Sequence, residues 1–333
     1  MLTNTIMERE AREAPSRIKQ QLANNRRTVA ELGAKLRALK PKFVFMVGRG
    51  SSDHAGVFGK YLIEVETGTP VVAAAPSVKS VYGSTVNLKD SAVIVISQSG
   101  RSPDILSQAE LAKAQGALCI ALVNDEASPL AELADVVVPL NVGEEKAVAA
   151  TKSYLATLSA LLHLVSEWKN APELIDAVAK LPDVLAHTVE ESTQLQPNAL
   201  ADVKHLVVMG RGYGYALARE VALKLKEVCG IQAESFSSAE FLHGPVTLVE
   251  AGLDIISLDI DDESKASHDK QVVEVKGRGA RVSHIAQTNR DIPKRIAPLT
   301  LLQRFYIDVA QVAVSRGVDP DAPAGLNKVT KTL

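Results

Sequence analysis

The chain has 333 residues, 46% of them hydrophobic and 23% charged, the composition of a globular protein with enough apolar material for two ordinary domains. A formal net charge of -2 leaves no basic excess for nucleic acid or an anionic membrane, so any anionic ligand must be small and locally held. No apolar run is long enough to span a bilayer, and "MLTNTIMEREAREAPSRIKQQL" lacks the apolar core of a signal peptide, so a cytoplasmic protein is expected. The two cysteines, Cys119 and Cys229, have no metal-type spacing and read as buried free thiols.

After roughly forty helix-like residues, "KFVFMVGRGSSDHAGVFGKYLIEVETGTPVVAAAP" reads as strand, Gly/Ser turn, helix and strand, a βαβ unit. Apolar runs at 91–97, 117–123 and 134–140 continue the alternation, which implies a parallel sheet covered on both faces. A long helical stretch is expected from "AATKSYLATLSALLHLVSEW" to about Leu200. Beyond it "HLVVMGRGYGYALAREVALKLKEVCGIQAES" repeats the order strand, G-R-G turn, helix, glycine, strand. Gly48 and Gly210 are separated by the same interval as Gly68 and Gly230, so the chain carries a domain-scale duplication. "LDIISLDI" and "ARVSHIAQ" supply later strands of the second unit.

In such sheets ligands bind beyond the carboxyl ends of the strands. "VIVISQSGRSPD" passes there from aliphatic residues into Ser97, Gln98, Ser99, Gly100 and Ser102. Gly100 permits a positive φ, Ser102 suits a helix cap and Pro103 a first helical turn. Helix N-terminal N–H groups and three hydroxyls favour a phosphate, although alone the stretch also reads as an ordinary polar turn. "GRGSSDHAG" offers a second wall with Ser51 and Ser52. It matches neither the dinucleotide fingerprint nor a P-loop, because Asp53 stands where the third glycine belongs and no G-K-[ST] follows. In the second unit, Lys224, Lys226, Glu227, Glu234, Glu240 and His243 lie within one short span. Singly they read as solvated charges or helix pairs, but a carboxylate and an imidazole beside a bound sugar suit a base and an acid.

These motifs resemble the sugar isomerase (SIS) domain, specifically the tandem pair that forms the isomerase half of glucosamine-6-phosphate synthase. "SQSG", "EEKAVAATKSY", "LKLKE", "AEFLHGP" and "LNKVT" stand in that family's order over nearly the whole chain. The resemblance implies an α/β fold of two tandem SIS domains, each a doubly wound, flavodoxin-like parallel sheet flanked by helices. The expected divisions are a helical arm at 1–35, SIS domains at 36–175 and 176–316, and a C-terminal tail at 317–333 that closes the site.

It further implies that Ser52, Ser97, Gln98, Ser99 and Ser102 grip the phosphate, with Gly50, Ser51, Val148 and Ala150 along the sugar. Glu227 matches the base that moves a proton between C1 and C2. His243 matches a ring-opening histidine contributed by a neighbouring subunit, so a homodimer with a shared site is expected. Lys328 matches the lysine of the closing tail, and Lys224, in the "LKLKE" motif, joins the catalytic candidates. The chemistry calls for no metal or redox cofactor.

The sequence also departs from the synthase pattern. The short arm expected ahead of the first unit replaces a glutaminase, so no glutamine-dependent nitrogen source is expected in this chain. Ala150 stands for a serine and Arg49 for a cysteine. The ending "VDPDAPAGLNKVTKTL" looks like that of stand-alone members that deaminate amino-sugar phosphates. The resulting expectation is a glucosamine-6-phosphate deaminase. Galactosamine-6-phosphate deaminase, phosphosugar aldose/ketose isomerase and fructosamine-6-phosphate deglycase are alternatives, and a non-catalytic sugar-phosphate sensor is the alternative from another class.

Overall fold

The computed structural model describes residues 5–328; residues 1–4 of the expected arm and 329–333 of the expected tail lie outside it. Helix α1 (Ile6–Leu39) leads into β1 (Val44–Val47), α2 (Ser51–Thr67), β2 (Val71–Ala73) and the short α3 (Ser77–Ser80). There follow β3 (Ala92–Ser97), α4 (Pro103–Ala114), β4 (Leu118–Val123), α5 (Pro129–Leu133) and β5 (Val136–Pro139). Two long helices, α6 (Lys152–Lys169) and α7 (Pro172–Val189), precede the second series. That series is β6 (His205–Gly210), α8 (Tyr213–Cys229), β7 (Gln232–Ser237), α9 (Ser238–Phe241), β8 (Asp254–Asp259), α10 (Lys265–Gly277), β9 (Arg281–Ala286) and α11 (Ala297–Ser315).

The strands form two all-parallel sheets, β2-β1-β3-β4-β5 and β7-β6-β8-β9. The first order is the flavodoxin-like one expected from sequence, and the second repeats its first four places. Every residue of β3 and β4 is buried, as continuous apolar strands between two helical layers must be. The first core gathers Phe45, Val93, Val95, Ile105, Cys119 and Val123. The second gathers Val207, Met209, Phe241, Ile255, Val272 and Val275. Both cysteines are buried and unpaired, and burial pushes each thiol up to about 12.

The chain divides into two compact units. Among the described residues, the first-sheet unit comprises 14–144, 152–182 and 327–328. The second-sheet unit comprises 5–13, 145–151 and 183–326. Helices α1 and α7 each carry an internal proline, Pro15 and Pro182. A proline inside a helix removes one backbone N–H bond, which makes these the weak points of otherwise regular helices.

The long helical stretch expected between the two repeats is interrupted. Asn170 adopts φ +56° after α6, and Pro172 opens α7. A left-handed residue ends one helix, and the residue before a proline is disfavoured in helical geometry, so the chain must restart. No described helix is long and apolar enough to cross a membrane.

Candidate functional site

In the first-sheet unit β3 ends at Ser97, and the chain turns through Gln98, Ser99, Gly100 and Arg101 into α4. The buried Ser97 hydroxyl accepts the Gly100 N–H at 3.1 Å. Gly100 has φ +64°, and a Cβ there would lie 2.2 Å from the Ser128 hydroxyl, so conformation and space both demand glycine. Its carbonyl accepts the Leu130 N–H, which fixes the turn against α5. Ser102 occupies the cap position and Pro103 the first helical position, but the expected side-chain cap bond is not made. Pro103 has no N–H, and the Ile105 N–H goes to the Ser102 carbonyl instead. The half-buried Ser99 and Ser102 hydroxyls thus stand at the N-terminus of a 12-residue helix without a cap bond from Ser102.

The turn between β1 and α2 is equally constrained. A Cβ on Gly48 would lie 2.7 Å from the Ser52 backbone, and Gly50 takes φ +54° as α2 begins at Ser51. The Ser52 N–H donates to the Arg49 carbonyl at 3.0 Å. Arg49 Nε in turn donates to the Asp104 carboxylate at 2.8 Å. This ion pair ties together the two turns that carry the phosphate-binding candidates.

In the second-sheet unit, α8 carries Glu220, Lys224 and Glu227 at helical spacing. Lys224 is buried, 3.3 Å from the fully buried Glu220 and 2.5 Å from Glu227, whose side chain is 19% exposed. Tyr306 on α11 donates its hydroxyl proton to Glu220 at 3.1 Å. Burial alone would lower the Lys224 pKa, but the Glu220 and Glu227 carboxylates outweigh it and hold the ammonium above its ordinary value. The result is a buried ionic chain, anchored at Tyr306, with one carboxylate reaching solvent. His243 lies in an exposed turn after α9, its N–H on the Glu240 carbonyl and its ring bonded to no described residue. Glu234 lies on β7, and Glu240 on the short α9.

Val148 and Ala150 belong to the segment 145–151, part of the second-sheet unit although it lies in sequence between β5 and α6. Carboxylates absent from the sequence-level candidates hold this segment. Glu10 accepts the Lys146 N–H at 2.6 Å and the Ala147 N–H at 3.1 Å, and Glu145 accepts the Thr151 N–H at 3.0 Å. The Asp321 carbonyl accepts the Val148 N–H, and its carboxylate accepts the Ile6 and Met7 N–H groups at the start of α1. Lys328, half-buried, belongs to the first-sheet unit.

The structure therefore groups Ser97, Ser99 and Ser102 in one turn, links that turn to the Ser51 and Ser52 turn, and joins Lys224 to Glu227. Sequence reasoning missed Glu220, Asp104, Glu10 and Asp321. Only Glu220 had a local signal, four residues before Lys224 on a helix. The others act across long sequence separations. Among the described residues, no group of three or more His, Cys, Asp or Glu side chains is arranged to hold a metal.

Residues 39–166 and 199–299 match the SIS domain family. The isomerizing glutamine–fructose-6-phosphate aminotransferase of Sulfurisphaera tokodaii is 31% identical over 301 residues, 86% of this chain and 49% of that protein. The same enzyme of Thermococcus kodakarensis is 30% identical over 97% of this chain and 57% of its own length. The chain thus spans about half the length of the curated relatives it matches. A Silicibacter pomeroyi structure described as a phosphosugar isomerase superposes with a TM-score of 0.88 at 37% identity, covering 95% of this chain and 100% of that one. The C-terminal domain of glucosamine-fructose-6-phosphate aminotransferase from Francisella tularensis gives 0.83 at 25% identity, covering 96% and 98%. A glucosamine-6-phosphate deaminase from Thermotoga maritima shares the fold, with a TM-score of 0.77 at 21% identity over 98% of this chain and 100% of that one.

Proposed function

Because the chain belongs to the SIS domain family, we propose that it converts glucosamine 6-phosphate and water to fructose 6-phosphate and ammonia. The observation that carries the reading is the buried Glu220–Lys224–Glu227 chain with its single solvent-reaching carboxylate. A carboxylate fixed in that way is suited to moving a proton between adjacent carbons. In the proposed reaction His243, contributed by a second copy of the chain, assists ring opening. Glu227 removes the C2 proton of the open aldehyde and returns it to C1, leaving a C2 imine that water hydrolyses to the ketone and ammonia. Lys224 holds a positive charge against the proton-carrying carboxylate. The Ser97–Ser102 turn supplies binding remote from the reacting carbons, which serves orientation. Gln98, Gly50, Ser51, Ser52, Val148 and Ala150 complete the proposed substrate contacts, and Lys328 stabilises developing negative charge.

A positioned base typically contributes ~10²–10⁴-fold, so Glu227→Gln is expected to lose that much kcat with little change in KM. The decisive assay is ammonia release from glucosamine 6-phosphate, galactosamine 6-phosphate, N-acetylglucosamine 6-phosphate and a phosphorylated fructosamine adduct, with fructose 6-phosphate assayed in parallel. Equimolar ammonia and fructose 6-phosphate from the first compound supports the reading. Silence on the panel with sugar-phosphate binding intact overturns it in favour of a sensor. Full activity in Glu227→Gln removes that residue from the mechanism.

A further inference from the structure

We propose that Arg49 is a substrate-binding residue that supplies the positive charge of the phosphate site, with Asp104 as the residue that positions it. The inference rests on the proposed phosphate role of the Ser97–Ser102 turn and adds a residue to it. That turn offers hydroxyls and backbone N–H groups, which are neutral donors. Its own arginine, Arg101, is engaged elsewhere: Nη2 and Nε meet the Asp125 carboxylate at 2.7 and 3.2 Å, and Nη2 also meets the Ala127 carbonyl. Asp104, at the second position of α4, places a side chain only 1% exposed next to the helix N-terminus, where its charge opposes an incoming anion. Arg49 answers that charge with Nε alone. Its side chain is 49% exposed, and neither Nη1 nor Nη2 bonds to a described residue.

A guanidinium fixed through Nε keeps a planar pair of donors oriented, the arrangement that grips a phosphoryl group in two-pronged fashion. The second repeat supplies the contrast. Arg211 stands at the corresponding place in its G-R-G turn, but the residue corresponding to Asp104 is Ala266. Among the described residues the Arg211 side chain meets only the Ser237 hydroxyl, at 3.4 Å. The turn it faces reads Asp259-Ile260-Asp261-Asp262-Glu263-Ser264, an unsuitable host for phosphate. An arginine occurs in both turns. The carboxylate that orients it accompanies only the neutral, serine-rich one.

Calorimetric titration of the full chain with glucitol 6-phosphate, which cannot react, and with glucitol tests the assignment apart from turnover. Arg49→Met is expected to weaken glucitol 6-phosphate on the order of 10- to 100-fold, the range of a charge-assisted hydrogen-bond pair, and to leave glucitol unchanged. Arg49→Lys, which keeps charge without the fork and leaves Asp104 a partner, should show a smaller loss and guards against misfolding of the Met variant. Arg49→Met combined with Asp104→Asn should recover part of the loss, because a negative charge beside the helix N-terminus is gone; a purely structural ion pair would show no such recovery of affinity. Unchanged affinity in both Arg49 variants, with Ser99→Ala still weakening the phosphorylated ligand, overturns the inference and leaves the phosphate turn standing. A wild-type protein that binds both ligands alike overturns both.

Discussion

The two repeats share a backbone and differ in chemistry. Helices α2 and α8 are each 17 residues long, begin after a glycine at φ +54° and end at a left-handed glycine, Gly68 or Gly230. Strands β3 and β8 follow at the same interval, starting at Ala92 and Asp254. Even the register is kept, Val44 pairing with Val71 and His205 with Gln232. Upon this common frame α2 carries Phe58, Leu62 and Val65 where α8 carries Glu220, Lys224 and Glu227. The turn after β3 reads Ser-Gln-Ser-Gly-Arg-Ser, whereas the turn after β8 reads Asp-Ile-Asp-Asp-Glu-Ser. In the acidic turn Asp262 itself accepts the Ser264 N–H and hydroxyl, at 2.8 and 2.6 Å. It supplies an anion from within, where the serine-rich turn has none and is the proposed phosphate site. Duplication preserved what the sheet needs, and each copy diverged where helix and turn meet possible substrate.

The largest effect should come from breaking the ionic chain that replaces the apolar stripe. Lys224→Met leaves two carboxylates around a buried position, and removing one partner of a buried ionic network typically costs about 3–5 kcal/mol. Urea unfolding should show that loss, and a change below about 1 kcal/mol would show the chain to be energetically slack. Converting Glu220, Lys224 and Tyr306 together to Leu, Leu and Phe copies the apolar character of α2. This variant should recover most of the stability while activity stays lost, because buried ion pairs are replaceable by well-packed apolar groups. Failure to recover would mean that α8 and α11 depend on the charges for their packing.

The second contrast is sharpened by exchanging single turn residues. Ser99→Asp imports the character of Asp261, and a carboxylate at the helix N-terminus should weaken sugar-phosphate binding on the order of 100-fold. Ser99→Ala, which removes only a donor, should weaken it on the order of 10-fold. Equal losses from the two variants would argue that charge at this turn is irrelevant.

The duplicated frame was legible in the sequence because its signals are local: continuous apolar strands, glycines at fixed intervals, and the turn between Ser97 and Pro103. Lys224 and Glu227 were visible through their helical spacing. The burial of Lys224 was not, nor was the Tyr306 hydroxyl that anchors Glu220 across 86 residues of chain; Glu220, four residues before Lys224, had the helical spacing but was missed. The support of the 145–151 segment by the Glu10 carboxylate and the Asp321 carbonyl was similarly hidden, because an acceptor of backbone N–H groups from far along the chain leaves no periodic trace. Ser102 shows the opposite error. Its type and position suited a cap, but its side chain makes no cap bond and the Ile105 N–H goes to its backbone carbonyl instead.

Acid should separate the two units. His163, buried in α6, has its pKa lowered to about 4 by burial alone. An unfolded histidine takes up its proton near pH 6.5, so between there and about 4 the unfolded chain binds more protons and stability falls as pH falls. The slope approaches about 1.4 kcal/mol per pH unit within that window. In the second-sheet unit burial would raise Asp259, but hydrogen bonds from His268 and Ser257 and the nearby His284 outweigh it and lower the pKa to about 2. Asp259 therefore contributes stability above the unfolded carboxylate range and loses it only as pH falls through about 2. Unfolding midpoints at pH 7 and pH 5 should fall with pH in the wild type and much less in His163→Leu if His163 carries the acid limb. An unchanged slope in the variant would assign it elsewhere.

The smallest effect tests the frame itself. Gly68 and Gly230 adopt φ +70° and +63°, and a Cβ at either would meet nothing within 4 Å. Alanine at each should therefore cause only the left-handed backbone penalty, about 1 kcal/mol, and by the same amount in both units. Gly48 and Gly210 make the control. A Cβ there would lie 2.7 Å from the Ser52 backbone or 2.3 Å from that of Gly214, contacts that no side-chain rotation relieves, so Gly48→Ala and Gly210→Ala should be the more damaging pair. Urea midpoints of the four variants separate conformation from space. If Gly68→Ala and Gly230→Ala differ markedly, the two helix ends are not equivalent and the repeats have diverged in backbone as well as in chemistry.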